Sequence, residues 1–555
     1  MRIDRRRALA LLGLGAAGPA VGQELQDGGG GIYFHYGVAS GDPLQDRVVI
    51  WTHVVHVADP IAVDSDVDWE MALDEGFRRI VRQGRTRSTA SRGFTVKVDV
   101  TGLRPGTEYF YRFRVAGEMS PVGRTRTLPA GGVKDVVLAV ASCSLYPNGY
   151  FHAYQAIADL PRVDAVLHLG DYIYEYGGPD SYGDNSPVAA ERRHDPYREI
   201  VSLADYRTRH AQYKSDPGLQ AAHARAPWIV AWDDHETAND SWMNGAENHT
   251  PGAEGDWATR KAVALKAYYE WMPIREPAPG QGLAEAAARS FRFGDLAQLI
   301  MVETRLSARD QQLDLERDLP MVDGKPDVAA FKARLNDPNR RMMGPAQEAW
   351  IGRELAASVK AGHAWQVIGN QVVMARVDAP LRAALTPDEA SKVEPRALRR
   401  IERRDEAAAL GVPAALDMWD GYPADRERLY GLFREARARP IVLSGDSHSF
   451  WANELKDAAG RRVAAEFGTT GITSPGAGEV VKGLDFGVII ARANPEVLYN
   501  NQVAKGFVLL TLTRGEARAE MVAVSTIVEP AFTAATVKRF VVRPDGTGVA
   551  QPAEA

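Results

Sequence analysis

Two hydrophobic rhythms divide this chain. Up to about residue 128 apolar and polar positions alternate, as in Phe94, Val96, Val98 and Val100 and again in Tyr109, Tyr111, Phe113 and Val115. A period of two marks a strand with one buried face. Between these runs Pro105-Gly106 supplies a chain reversal, and Tyr109 stands where its hydroxyl can bond back across the corner, as in β-sandwiches. The pattern predicts an all-β unit over residues 32–128, with Gly-rich linkers at 28–31 and 129–132.

From about Val133 the rhythm changes. Continuous apolar runs such as Leu299–Val302 and Gln366–Gly369 alternate with helical patterns near Trp257–Trp271, Ala346–Ala357 and Ala424–Ala436. Strands without a polar face are buried on both sides, so this larger unit, drawn over residues 133–530, is predicted to be α/β. A strand pair is expected at 506–513 and 517–524. Two polar stretches, 177–199 and 379–410, read as surface insertions, the second with helical composition. A C-terminal tail is drawn at 531–555, without regular structure from Pro544 onward.

Four apolar runs end alike. Val136–Ala141 runs into Ser142-Cys143, Ala165–Leu169 into Gly170-Asp171, Trp228–Trp232 into Asp233-Asp234-His235, and Ile441–Ser444 into Gly445-Asp446-Ser447-His448. Ligands bind beyond the carboxyl ends of strands in layered α/β folds. If these four ends meet, they gather a thiol, carboxylates and imidazoles at one point, with Tyr174 one turn beyond Asp171. The expected metal ligands are Cys143, Asp171, Tyr174, Asp234, Asp446 and His448. Adjacent acids at a strand end are costly to bury without cations; either Asp233 or Asp234 can be the ligand, Asp234 being preferred. His235 is the expected catalytic residue, placed beside the metals where it can hydrogen-bond a substrate or its leaving atom. Arg305 is a candidate substrate contact with an equal claim to a surface salt bridge. Asn239, Asp240 and Asn370 are weaker candidates. Carboxylates favour Ca²⁺ or Fe³⁺ over Zn²⁺, and a thiolate with a phenolate suits ferric iron.

Composition narrows the setting. A net charge of -6 and an apolar share of 45% over 555 residues exclude a basic nucleic-acid binder and a disordered chain. Arg5-Arg6-Arg7, the weakly apolar Ala8–Ala20 and the small residues Ala20-Val21-Gly22 form a twin-arginine export signal, expected to be removed at about residue 22. The mature protein is expected in the periplasm or outside the cell, as a soluble monomer after passage through the twin-arginine machinery. Exported proteins pair their cysteines, yet the chain has one, Cys143, which supports a ligand role.

The order Gly-Asp-x-x-Tyr, acid-His-Glu, Gly-x-x-His resembles the calcineurin-like metallophosphoesterases. Asp234 stands where that superfamily usually has Asn, Asp446 where it has His, and Gly369-Asn370-Gln371 lacks an expected His. These departures are similar to those of one branch, the alkaline phosphatase D family. Phe34–Pro43, Ala141-Ser142-Cys143, Gly170–Tyr176, Trp232–Glu236, Trp419–Pro423 and Gly445–Ser449 look like its motifs. The resemblance implies a four-layer αββα metallophosphoesterase core behind a fibronectin III-like sandwich, and an iron centre (Fe³⁺) with Ca²⁺ beside it. It also implies an exported phosphomonoesterase and phosphodiesterase that releases phosphate. Two alternatives remain: a dedicated diesterase acting on phospholipids or polymeric diesters, and a calcium-binding surface protein without turnover. A site covered by the 177–199 insertion or the tail would point to small esters.

Overall fold

The computed structural model describes residues 31–56, 63–480, 484–546 and 548–555. The export signal at 1–22 lies outside them. Within them, apolar strands assemble into two large mixed sheets flanked by helices, so the chain is α/β as expected. The first sheet has ten strands, with Asp135–Ala141, Ala165–His168 and Trp228–Val230 parallel at its centre. The second has seven, with Ala297–Met301, Trp365–Gly369, Pro440–Ser444 and Arg462–Gly468 running parallel.

Side-chain alternation decides what each face of the first sheet meets. Leu138, Val140, Leu167 and Ile229 point at the second sheet, where they pack with Leu299, Val367, Ile441 and Leu443. Ala139, Ala141, Val166 and Val230 face the other way, toward Ala153, Ile157, Leu219 and Ala264 on the helices His152–Ala158, Pro217–Arg225 and Trp257–Trp271. The small alanines on that face let helices approach closely. On the far side of the second sheet, Ile300, Ile368 and Val442 pack against Ile351, Leu429 and Phe433 from the helices Pro345–Lys360 and Pro423–Ala436.

The N-terminal β-unit is not a separate body. Its strands Val38–Gly41, Arg47–His53 and Thr95–Thr101 extend the first sheet beyond Trp228–Val230. Its other sheet, Ser65–Ala72, Ile80–Ser88, Glu108–Val115 and Gly123–Arg126 with the short Glu118–Met119, faces them across a core of Val48, Ile50, Val67, Met71, Tyr111 and Phe113. The Tyr109 hydroxyl accepts from the Arg104 N–H at 2.8 Å, the predicted corner bond. Arg289 donates to Asp42 at 2.6 Å, and Arg275 bonds both Asp42 and Asp99, which ties this unit to the larger one.

The structure corrects two expectations. The stretch drawn as a tail is part of the first sheet: Ala534–Val542 pairs with Ala517–Val524, and Ala553–Glu554 pairs with Ala534–Val542 in turn. Phe540, Val541 and Val542 are buried there, which the polar residues around them conceal in the sequence. The 177–199 stretch carries no helix or strand, but Val188, Ala189, Arg192 and His194 are buried, so it packs onto the fold instead of lying free on the surface. The 379–410 stretch does form a helix, Pro395–Leu410. Among the described residues no helix is long and apolar enough to cross a membrane.

Candidate metal centre and active site

The four strand ends converge from two sheets rather than one. Cys143, Asp171 and Asp233-Asp234 follow strands of the first sheet, and Asp446 and His448 follow Pro440–Ser444 of the second. Cross-links between the sheets hold them there. Ser142 bridges Gly471, and the Thr469 hydroxyl donates to the Val140 carbonyl at 2.9 Å.

Ligand atoms of Cys143, Asp171 and His448 lie within 4.8 Å of one another. So do those of Asp171, Asp234 and His235, and those of Asp171, Asp233, Asp234 and Asp446, so Asp171 joins every group. The Tyr174 hydroxyl donates to Asp171 Oδ2 at 3.0 Å and lies 3.2 Å from His448 Nε2. His448 Nδ1 lies 3.0 Å from the Pro475 carbonyl, which can only accept. The proton is therefore on Nδ1, and the Nε2 lone pair faces the cluster, the tautomer a metal ligand needs. Burial, reinforced by Lys505, pulls His448 down to about 3, so the ring is neutral.

The backbone is bent to achieve this. Cys143, Asp171, Asp446 and His448 all take positive φ, between 55° and 61°. Non-glycine residues there cost about 1–3 kcal/mol each and gather at functional sites. Gly170, at φ 118°, could carry no side chain: a Cβ would lie 2.4 Å from that of Asp233.

The donor set calls for cations. Asp171 Oδ1 and Asp233 Oδ2 are buried and accept from no protein donor. Burial, with Asp171 close by, pushes the Cys143 thiol well above its ordinary value. The Tyr174 phenol moves the same way for the same reasons. Asp171 itself is driven up by burial and then by Asp234, Asp233 and Glu236, against the pull of His235. Cations held among these atoms reverse all three shifts. A thiol, a phenol, carboxylates and one neutral imidazole fit a hard trivalent ion beside an oxygen-bound divalent one.

Arg305 is fully buried, so the surface salt bridge is ruled out. Its Nε donates to Asp233, and its Nη1 meets both oxygens of Asp417 at 2.8 Å. Nη2 lies 3.9 Å from Asp234 and 3.8 Å from Asp446 and has no hydrogen-bond partner. This nitrogen is the part of the guanidinium left without a protein partner. Asp240 reaches the site through its backbone N–H, which donates to Asp234 Oδ2 at 2.6 Å. Asn239 donates to Glu175 through its N–H, and Asn370 turns away to Trp419 and Val372.

Besides Asp417, four residues escaped the sequence reading. Glu175, one residue past Tyr174, accepts from His235 Nδ1 at 2.7 Å. Burial lowers the His235 pKa, but Asp234, Glu175 and Asp171 outweigh it and raise it well above its ordinary value. Glu236 accepts the N–H groups of Tyr172 at 2.7 Å, Asp233 at 2.9 Å and Asp171 at 3.1 Å, pinning two strand-end turns together. Ser474 lies 2.6 Å from the Tyr174 hydroxyl. Tyr182, from the 177–199 stretch, sets its hydroxyl 3.3 Å from both His448 Nδ1 and the Pro475 carbonyl, so that stretch covers one side of the cluster. Only Glu175 and Glu236 had a signal in the sequence, each being an acid within a motif; Tyr182 and Ser474 had none.

Known proteins are similar to this chain in sequence and fold. Residues 138–521 match the model of the PhoD-like phosphatase family, and residues 23–129 match that of the PhoD-like phosphatase N-terminal domain. The chain is 36% identical to alkaline phosphatase D of Bacillus subtilis (strain 168) over 529 residues, which covers 93% of this chain and 82% of that protein. A solved structure of PhoD superposes with a TM-score of 0.76 at 34% identity, covering 94% of this chain and 92% of that one. With a family model spanning most of its length and a relative matched nearly end to end, the chain belongs to the PhoD-like phosphatase family.

Proposed function

We propose that this protein is an exported phosphatase and phosphodiesterase whose centre holds Fe³⁺ and Ca²⁺. Family membership makes the chain a phosphoric ester hydrolase, and phosphate esters are its substrates. The observation that carries the metal assignment is the sharing of Asp171 among every candidate ligand group. Cys143, Tyr174, Asp171 and His448 would hold the iron. Asp234 and Asp446, with Asp171 between the two sites, would hold calcium. The three apolar layers between helices and sheets support the four-layer αββα reading, and the Tyr109 corner supports a fibronectin III-like N-terminal sandwich.

The bound metals supply Lewis acidity toward the phosphoryl oxygens and an activated water near neutral pH. The chain's own residues do the rest. Glu175 fixes His235 through Nδ1 and favours its protonated form. That leaves Nε2–H to give a proton to the departing ester oxygen, a step worth about 10²–10⁴ in rate. Arg305 braces Asp233 and offers Nη2 to the phosphate. Glu236 keeps the Asp171 and Asp233 turns in register. Tyr182 and its segment narrow the approach, which favours small esters over polymeric diesters. The twin-arginine pattern at Arg5-Arg6-Arg7 supports export, and monomeric behaviour is expected.

Elemental analysis of purified protein, paired with rates on p-nitrophenyl phosphate and bis(p-nitrophenyl) phosphate, tests the proposal. Iron and calcium together with turnover of both esters is the expected result. Calcium without iron and no turnover would instead favour the calcium-binding reading.

A further inference from the structure

Two tyrosine rings edge the metal centre, and the chemistry above gives one of them, Tyr176, no part. Tyr176 and Tyr182 are half-buried, whereas Tyr174 is fully buried. The Tyr174 hydroxyl is taken up by Asp171 and Ser474, and that of Tyr182 by the Pro475 carbonyl. The Tyr176 hydroxyl has no hydrogen-bond partner among the described residues.

The placement of these rings bears on the ester. The Tyr176 ring lies 5.2 Å from the His235 imidazole, centre to centre, and 5.7 Å from the Tyr182 ring, which it meets at 67°. The Tyr182 ring in turn stacks beside His448 at 6.4 Å. The pair therefore forms an aromatic corner that reaches from His235 to a residue of the metal cluster. Glu175 holds His235 Nδ1, so Nε2 is the nitrogen left for the departing oxygen. Tyr174 is closer to His235, at 4.2 Å, but it is fully buried. Tyr176 is thus the aromatic ring beside His235 that an alcohol group can reach.

The corner is held rigidly. Arg209, fully buried, donates to the Tyr176 carbonyl at 2.7 Å and to that of Tyr174. The same guanidinium donates to the carbonyls of Asp195 at 3.2 Å and Pro196 at 3.0 Å. One side chain clamps both ends of the 177–199 stretch. A surface fixed before the substrate arrives loses little freedom on contact.

We propose that Tyr176 is a specificity residue: with Tyr182 it receives the alcohol portion of the ester and favours one that carries a planar aromatic ring next to the ester oxygen. Such a ring can lie against the face of one tyrosine and meet the edge of the other, the offset and edge-on arrangements that aromatic pairs prefer. A saturated ring of the same size fills the corner without that match. The inference rests on the phosphoesterase reading and adds a substrate class to it.

The test compares kcat/KM for benzyl phosphate and cyclohexylmethyl phosphate on the full-length, metal-loaded enzyme. Their alcohols are alike in size and acidity, so both esters ask the same of His235 and differ in the flatness and π-face of the ring. The wild type is expected to prefer the benzyl ester. Tyr176→Leu should lower that preference about threefold to tenfold, the size of one aromatic pair, and Tyr176→Phe, which keeps the ring, should retain it. Equal losses on both esters in Tyr176→Leu would make Tyr176 a packing residue for His235 and overturn the proposal. A loss of preference in Tyr176→Phe as large as in Tyr176→Leu would also overturn it, since the hydroxyl would then be what is recognised. Inhibition of the wild type by benzylphosphonate and cyclohexylmethylphosphonate, whose P–C bond is not hydrolysed, repeats the comparison without a mutation. Benzylphosphonate should inhibit at lower concentration; equal inhibition constants overturn the proposal while leaving the phosphatase intact. No turnover of p-nitrophenyl phosphate by the wild type overturns the phosphatase reading, and the specificity with it.

Discussion

Replacing Glu175 by Gln separates the acid from the rest of the machinery. Burial alone would raise the Glu175 carboxyl, but His235 and the donors from Asn248 and Asn239 outweigh it, so the side chain is a carboxylate with a lowered pKa. One oxygen accepts from Asn239 N–H at 2.7 Å and Asn248 Nδ2 at 2.8 Å; the other accepts from His235. Glutamine keeps the first oxygen and both of its bonds. It presents an NH₂ group to His235 Nδ1, which must then give up its proton. The stability lost is that of one charge-assisted hydrogen bond, about 1.5–3 kcal/mol, a fraction of the 5–15 kcal/mol expected of a folded domain, so the variant folds. The catalytic loss is larger. An alkyl phosphate needs a proton on its leaving oxygen, and its kcat should fall by about 10²-fold, the low end for general acid catalysis. p-Nitrophenolate leaves without that help, so its kcat should fall far less. The sign for pH follows from the raised His235 pKa. The Glu175 charge makes the wild-type ring hold its proton more tightly, and without that charge the ring loses it at lower pH. The alkaline limb of kcat/KM should therefore move toward acid. Equal losses on both esters with an unmoved alkaline limb would refute the proton-donor role and leave Glu175 a packing residue.

Cys143→Ser should leave thermal unfolding nearly unchanged but strip iron from the purified protein and cost more than the roughly 10–100-fold that loss of an outer partner costs a metal site; full activity with iron retained would remove Cys143 from the centre. Asp171→Asn should abolish binding of both metals, read by elemental analysis, because that carboxylate joins all three ligand groups. A calcium chelator should suppress turnover, and added Ca²⁺ should restore it, with iron content constant. Acid should destabilise the protein through His53, His168 and His210, which burial first of all lowers to about 3. Their pKa values are depressed in the fold, so their contribution is present above about pH 6.5 and is lost as pH falls toward 3. At pH 5 the loss is roughly 2 kcal/mol apiece, measurable by denaturant unfolding at pH 7.5 and pH 5.

The strands were legible because buried strands announce themselves as unbroken apolar runs, and the helix at Trp257–Trp271 was bounded correctly by its periodicity. The convergence of Cys143, Asp171, Asp234, Asp446 and His448 was legible because each closely follows such a run, so a strand end fixes its position. What did not show was anything that reaches the site by a long detour. Tyr182 lies in a stretch with no periodicity, and its contact with His448 spans 266 residues. Asp417 follows the insertion helix and meets Arg305 across 112 residues. Arg305 itself could be read as a surface residue because nothing near it in the chain reveals that four carboxylates surround it. The strand Ala534–Val542 was hidden by its exposed first half; only its last three residues are buried.

The continuity of the ten-stranded sheet has a consequence for how this molecule can be divided. Trp228–Val230, which delivers Asp233 and Asp234, has Val38–Gly41 as its outer neighbour, and Asp42 takes both a backbone bond to Trp228 at 3.0 Å and the Arg289 charge. Excising the first 128 residues would therefore bare a hydrogen-bonding edge and orphan an arginine one strand away from the catalytic acids. A recombinant fragment lacking those residues should aggregate rather than work.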